Sequence, residues 1–349
     1  MDNKQLVFAR EYRGLTQSEL AKNIVGLSQS NLSKFEKGLD ILSDDVQNRI
    51  VKFLGFPKDF YKRKTNISFD NNNYRKKAGI SKKDISRFEK QCQIIGYIVD
   101  EMSDSVEWVD YKVKSLNVDD GFSTDYIADY TRRTMGIAED EPIKDIISAL
   151  ENVGIIVYEI EALEGFDGIS FFTKKGYPII IINKNMSNDR KRFTLAHELG
   201  HLVMHNENEF PISEDRNKER EANRFASQFL MPEKHIKNSL YGMRIGDLAI
   251  LKKYWLTSKA SIIVRAEYLN CIDKQKAIYF RTELSRNGER KMEKESVSID
   301  APKSIKTAYS LFKEELGYRD KDFEEYFALP KDIIDDVFKI DKLKVIKIS

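Results

Sequence analysis

The sequence predicts a multidomain fold, in which an all-α N-terminal domain is followed by an α+β domain and a mainly α C-terminal region. The length of 349 residues, a run of short capped helices near the N-terminus and strand patterns confined to the middle of the chain support this prediction. A single hydrophobic core rarely extends over more than about 250 residues, so we expect several domains. The predicted divisions are residues 1–65, a linker with a long helix at 66–116, residues 117–272, and a C-terminal region without an assigned role at 273–349.

The composition is that of a folded protein with a heavily charged surface. Hydrophobic residues make up 41% of the chain and charged residues 33%, which supplies enough apolar material for cores and excludes global disorder. The net charge of +2 says little about partners until it is resolved by region. Residues 1–65 contain 12 Lys and Arg against 8 Asp and Glu, and a basic cluster at 75–83 follows. The basic excess therefore lies in the first quarter of the chain.

The cysteines and the N-terminus indicate a cytoplasmic protein. Cys92 and Cys271 are far apart and form no CxxC pair, so neither a disulfide framework nor a thiolate zinc site is expected. The N-terminus lacks the apolar segment of a secretion signal, and the longest apolar stretch, Tyr177–Ile182, is too short to span a membrane. We therefore expect no membrane association.

The first domain reads as a series of short helices. Thr16 and Glu19 have the spacing of a capping box, which predicts a helix that begins there and runs to about Ile24. Ser28 can cap a second short helix, and Gly38 can end it. A further helix follows before Pro57, and the polar stretch at 58–75 predicts a linker with a domain boundary near residue 65.

A long amphipathic helix is predicted from Ser81 to about Leu116. Its apolar residues recur every three or four positions, which is the period of one helix face. Such a helix can serve as a spacer or as the seam of a dimer. The apolar positions are Ile85, Phe88, Cys92, Ile95, Val99 and Met102.

The middle of the chain alternates helices and strands. A terminal alternation at 343–345 also predicts an edge strand. The pattern of the segment 251–269 could also indicate a second helix-turn-helix. We interpret this segment as a packing subdomain. The expected elements are helices at 124–135 and 142–153, strands at 155–160, 167–172 and 178–183, and helices at 189–205 and 217–230.

One of these helices carries a His-Glu-x-x-His motif formed by His197, Glu198 and His201. Four residues of α-helix turn through about 400°, so both imidazoles lie on one face, roughly 6 Å apart along the axis, and can reach one ion. Glu198 lies beside this face, where a general base can act on a water molecule bound to a metal. A chance pairing and a structural zinc site are the alternatives, although structural zinc usually has four protein ligands, mostly thiolates.

A catalytic zinc needs a third protein ligand, and the helix at 217–230 offers Glu219 and Glu221. We favour Glu219, because it shares a helix face with small residues that allow close packing and with Asn223, which can orient a ligand by hydrogen bonding. Glu221 points in another direction. His205 is rotated about 80° from His197 along the helix, so we expect a polar role at the helix end, and His235 is expected to be unrelated.

These residues resemble the ImmA/IrrE metallopeptidases, which are similar to the gluzincins, the thermolysin-like zincins with two histidines and one glutamate on zinc. The resemblance covers roughly residues 115–270. It is carried by Phe193–His205, Glu219–Ala226, Leu230–Pro232, Asp167–Ser170 and Pro178–Asn183.

The resemblance implies an α+β thermolysin-like zincin domain that hydrolyses peptide bonds with Zn²⁺. His197, His201 and Glu219 would be the ligands, and Glu198 the general base and proton shuttle. It further implies that an extended substrate adds to an edge strand, for which 167–172 is our candidate. No residue can be assigned from sequence as the group that stabilises the oxyanion.

The first domain resembles the XRE (Cro/cI-type) helix-turn-helix repressors over residues 4–57. The matching segments are Leu15–Ala21 and Leu27–Gly38. The resemblance implies that Gln17 contacts a phosphate and that the front of the second helix enters the major groove of double-stranded DNA. It implies a homodimer on the operator, whereas a small helical docking domain is the alternative. The implied groove residues are Gln29, Ser30, Asn31 and Lys34.

Together these features predict a cytoplasmic transcription regulator that binds DNA through residues 1–65 and cleaves another protein through a zinc site. A repressor or a toxin–antitoxin partner would be a suitable protein substrate. The alternative is a transcription repressor or antitoxin whose zinc domain senses or docks a partner without significant proteolysis.

Overall fold

The computed structural model describes residues 1–63, 81–162, 165–290 and 292–338. Helices form both ends of the described chain and a small sheet lies only in its middle, which confirms the predicted fold class. The chain divides into two compact units. The first comprises Met1–Glu107, Thr173–Lys175 and Ile305–Ser349, and the second comprises Trp108–Phe172 and Gly176–Ser304.

The helices of the N-terminal third are α1 (Asn3–Tyr12), α2 (Gln17–Asn23), α3 (Gln29–Glu36), α4 (Asp44–Leu54) and α5 (Lys82–Met102). The middle of the chain contains α6 (Thr124–Thr134), α7 (Ile146–Glu151), β1 (Ile156–Ile160), β2 (Gly168–Phe172), β3 (Pro178–Asn183), α8 (Asn188–Met204) and α9 (Lys218–Leu230). The remaining helices are α10 (Glu233–Leu240), α11 (Asp247–Trp255), α12 (Lys259–Tyr268), α13 (Lys274–Arg286), α14 (Ser304–Glu314), α15 (Asp320–Phe327) and α16 (Lys331–Phe338).

The predicted caps set the ends of the short helices in the first unit. Thr16 and Glu19 form the complete capping box at the start of α2, and the Ser28 side chain accepts from Asn31 N–H at the start of α3. Gly38 follows α3 with a φ of 73°, a backbone conformation that glycine adopts without steric cost. The apolar side chains of these helices are buried, among them Leu6, Leu20, Leu32 and Ile50.

Helix α5 is shorter than predicted, because it ends at Met102 rather than near Leu116. Beyond it the burial pattern changes to the alternation of an extended chain, with Val113 and Ser115 buried and Lys112 and Lys114 exposed. The amide of Leu116 donates to the carbonyl of Val203, a bond that an α-helix through Leu116 would not make. The apolar face of α5 is itself buried within the chain, so that face is not exposed as a seam for a dimer.

The sheet of the second unit has the strand order β1-β3-β2. The central strand β3 pairs in parallel with β1 and antiparallel with β2. Its four isoleucines, Ile179–Ile182, are completely buried, as is usual for a strand covered on both faces. Strand β2 lies at one edge of this sheet, where the sequence placed its candidate edge strand.

Helices α8 and α9 pack closely, and Gly200 leaves little space between them. A Cβ at Gly200 would lie 3.0 Å from the Phe225 ring and 3.3 Å from the Cα of Ala222. The small residues on both helices therefore bring the two motif-bearing faces together. Helices α11 and α12 pack into the hydrophobic core of the second unit through Trp255 and Ile262.

The C-terminal region is divided between the two units. Helix α13 packs into the core of the second unit through Phe280 and Leu284, and the segment 305–338 belongs to the first unit. The predicted strand at 343–345, the boundary near residue 65 and most of the polar linker lie outside the described residues.

Candidate metal centre and nucleic-acid interface

The candidate metal centre consists of His197 and His201 on α8 and Glu219 on α9. The two imidazole Nε2 atoms are 3.1 Å apart. Glu219 Oε1 lies 3.2 Å from His201 Nε2, and Glu219 Oε2 lies 3.6 Å from His197 Nε2. Within the described part of the chain, these residues are the one cluster of three metal-binding side chains that converge on a common point.

The spacing of these three side chains fits a zinc ion. Tetrahedral coordination with bonds of about 2.0–2.1 Å sets ligand atoms about 3.3 Å apart, and the observed separations are 3.1, 3.2 and 3.6 Å. Two imidazole nitrogens and a carboxylate are also the ligand types that borderline-soft Zn²⁺ accepts. The residues present therefore suit the metal that the motif predicts.

Asn223 lies one helical turn beyond Glu219 and contacts His197. Its Oδ1 is 3.1 Å from His197 Nδ1, a distance at which the ring N–H donates to the amide oxygen. This bond leaves the Nε2 lone pair of His197 directed toward the cluster. Burial, the largest effect, lowers the pKa of His197, which favours the neutral ring that a metal requires.

Glu198 lies beside the ligands, against the edge strand. Ser170 Oγ on β2 donates to Glu198 Oε2 at 2.7 Å. Burial is the largest effect on the carboxyl group and raises its pKa above the ordinary value of 4.5. A pKa moved toward neutrality suits a carboxyl group that both accepts and returns a proton.

His205 and Glu221 form a second layer of contacts behind His201. His201 Nδ1 is 3.0 Å from His205 Nδ1, and His205 Nε2 is 2.8 Å from Glu221 Oε2. Arg216 in turn binds both carboxylate oxygens of Glu221, through Nε at 2.9 Å and through Nη2. Burial lowers the pKa of His205 to about 4, which keeps its ring neutral at physiological pH. The helical spacing predicted neither His205 nor Glu221 as part of the site, whereas in the structure His205 lies beside His201 and Glu221 lies beside His205.

The site is closed on one side and open on the other. The His201 side chain is 5% exposed, whereas that of Glu219 is 46% exposed. Zinc that acts on substrates needs a position that protein ligands do not fill, and an exposed flank permits it. The candidate metal centre is therefore accessible to solvent on the side of Glu219.

The predicted DNA-contacting residues of α3 share one exposed surface of the first unit. Gln29, Ser30, Asn31 and Lys34 are all exposed, whereas Leu32 and Phe35 on the other face are buried. The capped N-terminus of α3 thus presents amide, hydroxyl and ammonium groups to solvent. This is the arrangement that a recognition helix uses to reach base edges.

Gln17 is held by a chain of hydrogen bonds at the start of α2. Its Nε2 donates to Glu36 Oε2 at 2.7 Å, and its Oε1 accepts from Gln29 Nε2 at 3.0 Å. Glu36 is fixed by two hydrogen bonds from Arg10, at 2.6 and 2.8 Å, in an ion pair that is almost fully buried. The structure therefore orients Gln17 and Gln29 together.

Comparison with known families gives the class of the protein. A peptidase family described as the IrrE N-terminal-like domain matches residues 151–267, and the helix-turn-helix family matches residues 8–61. No curated protein matches the chain significantly. The matches define a DNA-binding regulator with a protease-like domain. Its two domains are an XRE-type helix-turn-helix and an IrrE/ImmA-like peptidase domain, which confirms the resemblances seen in the motifs.

None of the described helices combines the length and the hydropathy that crossing a lipid bilayer requires. The longest of them, α5, is 21 residues long but carries charged residues along its length.

Proposed function

We propose that the protease-like domain is a zinc-dependent endopeptidase that cleaves a regulatory protein, such as a repressor or a toxin–antitoxin partner. The observation that carries this proposal is the convergence of His197, His201 and Glu219, with Glu198 buried beside them. Two histidines and a carboxylate leave a fourth position for water or substrate, which is the pattern of catalytic zinc.

Each residue has a defined part in this proposal. When bound, zinc acidifies water and polarises the scissile carbonyl group. Glu198 takes the proton of the attacking water and later returns it to the leaving amine. Ser170 holds the Glu198 carboxylate by its 2.7 Å hydrogen bond, and Asn223 orients His197.

The substrate would bind as an extended strand along the outer edge of β2, on the side away from β3. The amide of Asn183 donates to the carbonyl of Asp167 at 2.9 Å, so these two residues form a hydrogen-bonded pair of the β2–β3 ladder. Because hydrogen-bonded pairs alternate along an antiparallel ladder, Gly168 and Phe172 direct their backbone groups away from β3. A peptide paired there would lie alongside Glu198, which contacts the same strand.

Replacement of Glu198 by glutamine tests the catalytic proposal. Glutamine keeps the size of the side chain but cannot accept a proton, so we expect unchanged zinc content and loss of cleavage. The zinc-loaded chain and the variant would each be incubated with a denatured protein mixture and with the products of neighbouring genes, and new N-termini would be mapped by mass spectrometry. New termini that persist in the variant would refute the role of Glu198.

We further propose that α3 reads an operator through the major groove, with the chain bound as a dimer. One N–H of Gln29 is donated to Gln17, so its second N–H and its Oε1 can still pair with the two major-groove groups of adenine. Asn31 has the same pair of groups, and Lys34 suits guanine or a phosphate.

Binding of an operator fragment at several salt concentrations tests this interface. Lys34→Ala should weaken binding, and the slope of log affinity against log salt should fall by about 0.9 if the lysine neutralises one phosphate. Lys52→Ala is the matched control, because Lys52 is an exposed lysine on α4 rather than on the proposed recognition helix. Equal affinities and slopes for wild type and Lys34→Ala would contradict the proposed contact.

A further inference from the structure

We infer that His205, Glu221 and Arg216 form a positioning chain that holds His201 in the tautomer able to bind the metal. None of the three residues belongs to the cluster of side chains that would hold the metal. The inference rests on the proposed zinc site, and it assigns a role to residues that the motif alone does not include.

The direction of every proton in this chain follows from the carboxylate of Glu221. A carboxylate only accepts hydrogen bonds, so the His205 Nε2 atom, 2.8 Å away, must carry a proton. A neutral His205 then has a bare Nδ1, which accepts from His201 Nδ1 across 3.0 Å. The second nitrogen of His201 is consequently left with its lone pair.

That lone pair points into the candidate metal centre. His201 Nε2 lies 3.1 Å from His197 Nε2 and 3.2 Å from Glu219 Oε1. The opposite tautomer of His201 would place an N–H there and a lone pair against the bare nitrogen of His205. The chain therefore disfavours the form of His201 that cannot bind a metal.

The side chains of the positioning chain are buried, which limits the hydrogen bonds that they can make. The side chain of His205 is 2% exposed and that of Arg216 is 7% exposed, so water is poorly placed to substitute for either. Arg216 binds both oxygens of Glu221 and also lies 3.3 Å from Asp119 Oδ1. Glu221 is thus fixed with a carboxylate oxygen against His205 Nε2, which keeps the proton on the Nε2 side of His205.

The arrangement also explains why Glu219 and Glu221 have different roles, although they are two residues apart. Consecutive positions on α9 turn by about 100°, so the two carboxylates leave the helix in different directions. Glu219 reaches the ligand nitrogens, and Glu221 reaches the histidine behind them. Helix α9 therefore supplies one candidate ligand, Glu219, and also the carboxylate of Glu221, which positions the candidate ligand His201 through His205.

Zinc affinity, measured by competition with a chromophoric chelator, tests the positioning chain without any substrate. We expect His205→Ala to bind zinc 10–100-fold more weakly than wild type, the range found when outer hydrogen-bond partners of metal ligands are removed. His205→Gln should recover part of the affinity, because its amide oxygen can accept from His201 Nδ1–H. His235→Ala is the matched control, a histidine on α10 outside the site, and should leave the affinity unchanged.

A second variant covers the case in which His205→Ala does not fold. Glu221→Gln keeps the size of the side chain but removes the charge, and we expect weaker zinc binding together with an altered visible absorption spectrum of the cobalt-substituted protein. Wild-type affinity and spectrum in a folded His205→Ala or Glu221→Gln variant would overturn the inference. Failure of the wild type to bind zinc would instead overturn the proposed function, so the two outcomes are distinguishable.

Discussion

At the scale of single residues, Gly168 decides how closely the edge strand approaches the motif helix. A Cβ at this position would lie 2.6 Å from Thr194 Cγ2 and 3.2 Å from Glu198 Cγ. Contacts below 3.0 Å require something to move, and both neighbours belong to the buried face of α8. Glycine therefore lets β2 lie against the proposed general base.

We predict that Gly168→Ala destabilises the protein by about 1–3 kcal/mol, the usual effect of an added methyl group in a packed interior. Gly246→Ala is the matched control, since its φ is −67° and no atom lies within 4 Å of its built Cβ. Urea unfolding of both variants would measure the difference. Equal stabilities would show that β2 and α8 are less closely packed than the structure indicates.

The sequence predicted the candidate ligands but not the residues that support them. Helical spacing brings His197 and His201 to one face whatever surrounds the helix, and the face of Glu219 follows from the same periodicity. His205 is rotated away from His197 along the helix, so helical spacing predicts no direct contact of His205 with an ion. Its actual partner, Glu221, is on another helix, so the contact depends on how α8 and α9 pack.

At the scale of elements, buried ion pairs hold the segment 287–304 in the second unit, although its described residues contain almost no helix or strand. Lys252 Nζ contacts Asp189 at 2.7 Å and Glu293 at 2.8 Å, and its side chain is 2% exposed. Glu293 also accepts from the backbone amide of Lys259. Lys252 therefore connects the start of α8 to the segment 287–304.

We predict that Lys252→Ala lowers the free energy of unfolding by about 3–5 kcal/mol, because two buried carboxylates would lose their common cation. Lys253→Ala is the control, as its side chain is exposed, and should change stability by less than about 0.5 kcal/mol. Thermal and urea unfolding would compare the two variants. A small effect of Lys252→Ala would mean that water or a neighbouring cation compensates the carboxylates.

Helix α16 contributes a pH-dependent contact to the first unit. Arg13 at the end of α1 donates two hydrogen bonds to Asp332, and this interaction lowers the pKa of Asp332 below 3.8. A lowered carboxyl pKa means that the stabilisation is complete above pH 3.8 and is lost as the pH falls below that value. The Asp332 side chain is 56% exposed, so solvent screening limits the effect.

We therefore predict that Asp332→Asn is less stable than wild type at pH 7 by no more than about 1 kcal/mol. The difference should shrink when urea unfolding is repeated at pH 3, because the wild-type carboxyl group then begins to take up a proton. A difference that stays constant between the two pH values would contradict the ion pair as its cause.

The ends of elements were harder to predict than the elements themselves. Apolar residues continue past Met102, but their spacing changes from the helical period to alternation. The predicted helix therefore extended beyond Met102, where α5 ends. Helix α7 is shorter than the predicted 142–153, because Asp300 accepts hydrogen bonds from the amides of Ile147 and Ser148 in its first turn. That contact comes from more than 150 residues away and is invisible to local patterns.

At the scale of the whole molecule, the chain joins a DNA-binding helix-turn-helix domain to a protease-like domain. Motifs and caps allowed both domains to be recognised from sequence, because each depends on residues within about 30 positions of one another. The membership of 305–338 in the first unit could not be predicted, since it depends on contacts such as Arg13 with Asp332. A proposed peptidase in such a chain is expected to be regulatory rather than degradative.

Metal removal should lower the stability of the full chain. A metal that binds only the folded site stabilises it by about 2.7 kcal/mol at 100 times the dissociation constant. We predict that added zinc raises the thermal midpoint of the chelator-treated wild type and has little effect on His197→Ala. Equal midpoint shifts in both proteins would show that zinc acts elsewhere on the chain.

The most direct test of the account is the zinc content of the purified full-length chain after exhaustive dialysis, compared with that of Glu219→Ala. We predict one zinc ion per wild-type chain and loss of that zinc in the variant, because the variant retains only the two histidine ligands. A wild type that emerges without zinc, or a Glu219→Ala variant that retains it, would contradict the zinc centre from which the peptidase proposal follows.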